Sequence, residues 1–350
     1  MPSSKVYLGR VKDPLSLKEA EANVLWNGTM PLRVNFDDGQ SALLDINHPR
    51  AAVWAKMINR IQRNNFPAYV EVDADTDIIT RLCIPIATKV LAIRTTTEGP
   101  VEVVLSASDA LHFLRNDVPG FDRLHHTLQH AKDTDATILV TATLHHLDVV
   151  DVRALPAFLI QGPFDPLPDP EPVVPVSPER CMELFRMVSV ETCITGSMTS
   201  PCIAYKYPYS GCNVRAHLMC YILRAAGATP EKMWISPGLH AKTANAPKCE
   251  VGWGWHVAPT LLVTRPVGDP EKMVLDPSLC DGPVTIAYWK SLQGNPNATL
   301  TPAQWDGYNF LAKGTATQME ADDEMENYRE WLADLWIESP PPYKCPPVDK

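Results

Sequence analysis

The stretch LPAFLIQGPFDPLPDPEPVVPVSP, from Leu155 to Pro178, carries eight prolines. Proline fixes φ and has no backbone N–H, so this stretch can be neither a helix interior nor a central strand. An extended, polyproline-like connector is the expectation over residues 155–177. It divides the chain into an N-terminal α+β half, residues 1–154, and a C-terminal half, residues 178–350. The alternative is a surface loop inside one domain, which is disfavoured because long loops without structure of their own are uncommon in compact domains. A chain of 350 residues also exceeds what one hydrophobic core usually covers.

Composition narrows the possible partners. A formal net charge of −10 argues against nucleic acid or an anionic membrane as ligand, because both demand a basic face. No apolar run reaches the length of a membrane span. The N-terminus, MPSSKVYLGRVKDP, lacks a basic region followed by an apolar one. A cytoplasmic protein and a leaderless form of a secreted one therefore both remain open. Eight of the nine cysteines lie between Cys181 and Cys345. An odd number without paired CxxC spacing argues against a zinc module, and it leaves a thiol over if the others pair as disulfides.

The N-terminal half reads as mixed α and β. PAYVEVDA, VLAIRTTT and VEVVLS read as strands. PRAAVWAKMINRIQRN reads as an amphipathic helix with Val53, Met57, Ile58 and Ile61 on one stripe. SASDALHFLRND and FDRLHHTLQHAK read as helices, and ATILVTATLHHLDVVDVR as two strands with a short turn. No internal repeat and no nucleotide motif is evident. His126 and His130 are four residues apart, which suits a metal on one helix face, but no third ligand stands nearby and a solvated face is the expectation.

The C-terminal half has sharper punctuation. Ser177-Pro178-Glu179 predicts a helix start, with Ser as N-cap and Glu at the positive dipole end. CNVRAHLMCYILRAAG predicts a helix whose stripe is Val214, Leu218, Ile222 and Leu223, stopped at Gly227. GWHVAPTLLV and KMVLDPSL read as buried strands. DDEMENYREWLADLW reads as a helix with Tyr328, Leu332 and Leu335 facing inward.

Candidate chemistry lies on these elements. Cys212 opens a helix directly after Ser210-Gly211. A thiolate there meets free N–H groups and the dipole, which lowers its pKa. Gly211 lets the chain turn sharply, and an N–H beside it could face an oxyanion. A thiolate needs a base, and His256 begins a strand between the apolar neighbours Trp253, Trp255 and Val257. Asp276, at the end of the next strand, could hold the imidazole in one tautomer. The order Cys on helix, His on strand, Asp on strand is that of papain-like and transglutaminase-like enzymes, so an α+β fold with such a core is the expectation. Each residue alone has a plainer reading, as buried thiol, core histidine or turn former.

KYPYSGCNVRAHLM, GWHVA and VLDPSLCDGPV together resemble the bacterial protein-glutaminases, thiol enzymes that deamidate glutamine side chains. The likeness spans Pro201 to Trp289. It implies Cys212 as nucleophile, His256 as base and acid, and Asp276 as orienter, with no metal and no cofactor. Arg215 and His217 match the family's RAH and are expected to orient the Cys212 loop or pack beneath it. Gly211 and Asn213 complete the oxyanion region, and Tyr207, Tyr209, Trp253 and Trp255 line the pocket. Asn213-Val214 departs from the family's usual pair. The implied substrate is a protein or peptide with an exposed glutamine, or a small-molecule amide. The implied role for residues 1–154 is an inhibitory pro-region or a substrate-binding domain. Two rival readings remain: an acyltransferase or an amide-forming or amide-cleaving enzyme using the same triad, and a non-catalytic binding module.

Overall fold

The computed structural model describes residues 4–15, 31–95, 99–156, 172–195, 197, 198 and 200–346. The protein is mixed α and β and has two compact units. Unit 1 comprises Met1–Glu102 and His112–Ile160; unit 2 comprises Val103–Leu111 and Gln161–Lys350. Most of the expected proline-rich connector, residues 157–171, lies outside the described residues. The segment Val103–Leu111 thus belongs to unit 2, although it lies far upstream in sequence.

The N-terminal elements in chain order are β1 (Ser4–Arg10), β2 (Leu32–Asn35), β3 (Ser41–Leu44), α1 (Ala51–Arg63), β4 (Pro67–Asp73), β5 (Ile79–Cys83), β6 (Ile86–Arg94), β7 (Val101–Leu105), β8 (Leu111–Leu114), α2 (Phe121–Asp133), β9 (Thr137–Ala142) and β10 (Val149–Ala154). In unit 1, β1, β4 and β5 pair antiparallel, β2 and β3 form a hairpin, and β6, β9 and β10 pair antiparallel. Helix α1 buries Met57, Ile58 and Ile61 as its spacing predicts. Trp54 and Ala55 share that face, while Val53 is only half-buried. His126 and His130 of α2 are both exposed.

Unit 1 contains a repeat that the sequence conceals. Helices α1 and α2 each have 13 residues and begin 70 positions apart (121 − 51). The same offset relates the left-handed residues Asn65 and Asp135, and also Asp77 and Leu147. It relates the hydrogen bonds Leu43 N–H to Asp77 O (2.9 Å) and Phe113 N–H to Leu147 O (3.0 Å) as well. The expectation of no repeat is therefore corrected. The shared features are backbone geometries, which chemically different side chains can satisfy. The helix expected over SASDALHFLRND is also corrected. Leu111–Leu114 is strand, with Leu111 and Leu114 buried, so tertiary pairing overrides the helix preference of Ala and Leu.

Unit 2 carries α3 (Pro178–Ser189), α4 (Cys212–Ala225), β11 (Glu231–Ser236), β12 (Leu239–Lys242), β13 (Glu250–Trp253), β14 (His256–Val263), β15 (Glu271–Val274), β16 (Val284–Thr285), α5 (Ile286–Ser291), β17 (Thr299–Gln304) and α6 (Gln318–Glu338). Ser177 caps α3 by accepting from the Arg180 N–H at 3.2 Å. Gly227, at φ 80°, stops α4. Thr317 and Glu320 cap α6 reciprocally. The strands form an antiparallel sheet ordered β16-β15-β14-β11-β17, and α4 packs on β14 and against α6. Their core includes Leu184, Val188, Val214, Leu218, Leu223, Leu261, Met325 and Leu332. Disulfides join Cys193 to Cys202 and Cys249 to Cys345, and Cys83, Cys181, Cys212, Cys220 and Cys280 are buried outside those two disulfides.

Candidate active site around Cys212

The loop before α4 is held rigidly. Gly211 sits at φ 89°, in the left-handed region, as the N-cap of α4. A Cβ there would lie 2.7 Å from Cε1 of Tyr328, so both the conformation and the space require glycine. The buried Arg215 donates to the carbonyl oxygens of Ser210 (2.7 Å) and Tyr207 (3.3 Å). It thereby ties the first turn of α4 back onto its own entry loop. Cys212 is the first helical residue and only 1% exposed.

On the adjoining strand, the His256 Nε2 pairs with Asp276 Oδ2 at 2.9 Å, both buried. That leaves Nδ1 without a hydrogen-bond partner. Trp253 stacks on the ring (centroids 4.6 Å, 10° between planes), and Trp289 lies against it at 5.6 Å and 30°. The Trp289 indole N–H donates to the same Oδ2 of Asp276 at 2.9 Å, while the Ser278 N–H donates to Oδ1 at 3.1 Å. Burial alone would push the Asp276 carboxyl up. The charge and hydrogen bond of His256, the Trp289 N–H and the Arg215 charge outweigh it and hold the group below the usual carboxylate range.

A third acid stands at the site. An atom each of Asp109, Cys212 and His256 lie within 4.8 Å of one another. Asp109 Oδ1 accepts from the Gly211 N–H (2.7 Å) and from Ser210 Oγ (2.8 Å), and the Asp109 carbonyl accepts from the Gly254 N–H (2.8 Å). Ala110 bridges antiparallel to Trp253, and the Trp255 indole N–H donates to Leu105 O at 3.2 Å. A Cβ on Gly254 would meet Val104 Cγ1 at 2.4 Å. Val103–Leu111 therefore bends at Ser106 and Ala107 yet bonds to Trp253–Trp255 on both sides of that bend, with the Asp109 carboxylate hydrogen-bonded to the Cys212 turn. Three donors of this kind could also hold a soft cation. The bonds already made by Asp109 and His256 favour the thiol–imidazole arrangement.

These neighbours reverse one expectation. The helix N-terminus was expected to lower the Cys212 pKa. Instead burial first, and then the Asp109 carboxylate, push the thiol well above its ordinary value, against the opposing pull of Arg215 and the Val257 N–H. Cys212 is a protonated thiol in this arrangement because its surroundings exclude water and add a like charge.

The remaining sequence candidates divide. Trp253 and Trp255 stand at the site, and Trp255 packs with Cys212 and Trp234. Asn213 is buried in the first turn of α4. His217 lies away from the thiol. Its Nε2 is 2.7 Å from the Ala316 carbonyl and its Nδ1 2.9 Å from Lys232 Nζ, so it anchors α4 to a distant loop rather than supporting Cys212. Burial and the Lys232 charge hold it neutral, with a pKa lowered to about 3. Tyr207 packs in the core against Tyr209, Tyr328 and Trp331 and also lines a small pocket with Arg215, Trp253 and Ser278. Sequence reasoning missed Asp109, Ser210, Trp289 and Lys232. Trp289 lies within the short helix α5 and has no spacing signal, and Asp109 lies in a stretch that reads as helix.

Comparisons with known proteins agree with the sequence motifs. Residues 181–293 match a family model described as Glutaminase. A crystal structure of pro-protein-glutaminase is similar at 22% identity, covering 67% of this chain and 86% of that one, with a TM-score of 0.53. A mutant of pro-protein-glutaminase is similar at 22% identity over 65% and 85%, TM-score 0.51. The NMR structure of protein-glutaminase from Chryseobacterium proteolyticum is 28% identical over 51% of this chain and 96% of that one, TM-score 0.39. The first two likenesses concern the fold. No curated protein matches.

Proposed function

We propose, from the match of residues 181–293 to a glutaminase family model, that this protein is a cysteine amidohydrolase that deamidates glutamine side chains in proteins or peptides. The observation that carries the reading is the convergence of Cys212 and His256 within 4.8 Å, with His256 fixed by Asp276 at 2.9 Å. In this reading α4 on β14 is a papain/transglutaminase-like core. His256 takes the Cys212 proton, and the sulfur attacks the side-chain carbonyl carbon. The C–N bond breaks as imidazolium protonates departing ammonia, leaving a thioester. Water, deprotonated by His256, then releases the carboxylate. The Gly211 N–H and Ser210 hydroxyl, now turned to Asp109, are the donors placed for the carbonyl oxygen.

Val103–Leu111 supports a latent state for the chain, in which its carboxylate holds those donors and keeps the thiol protonated. This is the pro-region reading of the N-terminal part. The test is ammonia release from a glutaminyl peptide by a chain carrying Asp109→Ala, with and without Cys212→Ala. Release is expected only with the thiol present. A Cys212 that alkylates readily in Asp109→Ala while no ammonia appears would overturn the proposal. Product mass distinguishes hydrolysis from transfer to an amine, the alternative that the same residues allow.

A further inference from the structure

Asp276 is reached by two donors on one oxygen. His256 Nε2 and Trp289 Nε1 both lie 2.9 Å from Oδ2, while Oδ1 takes the Ser278 N–H. Trp289 is fully buried, at 0% exposure, and anchored in α5, whose start is capped by Thr285. Its ring also closes one side of the imidazole, with Trp253 stacked nearest it. A buried carboxylate has two ways to turn and two lone pairs per oxygen, so a single histidine bond leaves its rotation soft. A second donor on the same oxygen, from a rigid ring, fixes which lone pair faces His256 and shares the negative charge.

We propose that Trp289 is a positioning residue of the site, which through its indole N–H sets the rotamer and charge of Asp276 and through it the tautomer and orientation of His256. The inference rests on the reading of Cys212, His256 and Asp276 as the reacting set. It assigns Trp289 no contact with substrate. The consequence is specific to the hydrogen bond: without that N–H, Asp276 takes up a proton at higher pH, and the His256–Asp276 bond breaks at higher pH. The groups facing Asp276 are His256, Trp289, the Ser278 N–H, the charge of Arg215 and the buried Tyr205, and the last three are unchanged by the perturbation.

The experiment uses the full-length chain and needs no turnover. The Nε2 proton of His256, in a short bond to a carboxylate, gives a downfield NMR resonance that is followed as the pH is lowered. Two replacements are compared with the native chain: Trp289→Phe, which removes ring volume and donor, and benzothienylalanine at position 289, which keeps the volume and removes the donor. Both are expected to lose the resonance at higher pH than the native chain. Loss at the native pH in both would overturn the proposal, even if the variants melt earlier. A shift in Trp289→Phe without one in the isostere would overturn it too, because ring packing would then be the cause. Deamidation by the Asp109→Ala chain is scored separately, so failure here leaves that activity standing.

Discussion

Replacing Asp109 by asparagine isolates one cause of the high Cys212 pKa. Asn keeps the shape and an oxygen to accept from the Gly211 N–H and Ser210 Oγ, now 2.7 and 2.8 Å from Asp109 Oδ1, while the negative charge goes. At the 4.8 Å limit of the Asp109–Cys212 separation, two charges in an effective dielectric of about 20 interact by roughly 3.5 kcal/mol. Burial, the larger cause of the raised thiol, stays in place. The thiolate titration of Cys212 is therefore expected to move to lower pH, while burial keeps it above the ordinary thiol value. It is followed by thiolate ultraviolet absorbance against pH, taken as the difference from the same chain carrying Cys212→Ser. The subtraction removes the other free cysteines, among them Cys181 and Cys220, whose thiols burial pushes up to about 11. An unmoved or raised midpoint in Asp109→Asn would refute the electrostatic account and leave desolvation as the sole cause.

Gly211→Ala should destabilise the fold by about 2–4 kcal/mol, combining a left-handed alanine with overpacking against the buried Tyr328; urea unfolding measures it, and Tyr328→Leu in the same chain should recover part of the loss. Lys232 is buried, and desolvation lowers its pKa to about 8 from 10.5, a cost the nearby acids and thiols only partly offset. The unfolded chain then binds the proton more tightly, so native stability rises as pH climbs from about 8 to 10.5, by about 3 kcal/mol from this group. Lys232→Met should lack that rise, so the stability gap between native and variant chains should widen in favour of the native one across the window; a constant gap by urea unfolding would contradict a lysine buried in charged form.

What the sequence made legible was local. Ser177-Pro178 gave the start of α3, Gly211 and Gly227 bracketed α4, and the apolar runs after Gly254 and Glu271 marked β14 and β15. Those signals act over one turn or one strand. The order of elements was legible too: Cys212 opens a helix, His256 begins β14, and Asp276 follows its antiparallel neighbour β15. Asp109 could not be found that way. It lies 103 residues before Cys212 (212 − 109), on a segment whose Ala and Leu content suggests a helix, and only tertiary pairing with Trp253 and Gly254 gives it a role. His217 shows the opposite failure. It sits one and a half turns along α4 from the thiol, yet its partners are Lys232 and Ala316, because a helix turns successive side chains to different neighbours. The protonation of Cys212 was misjudged because a helix dipole is a modest effect beside burial and a neighbouring carboxylate.

The 70-residue spacing also reaches the site. Counting back by that interval from Asp109 gives Gly39, an exposed residue at φ 87° between β2 and β3. The tip that holds an exposed, left-handed glycine in the first half thus corresponds to a buried acid in the second. Because each half carries its own helix and strands, a side chain at one tip can differ without altering the backbone geometry of the other.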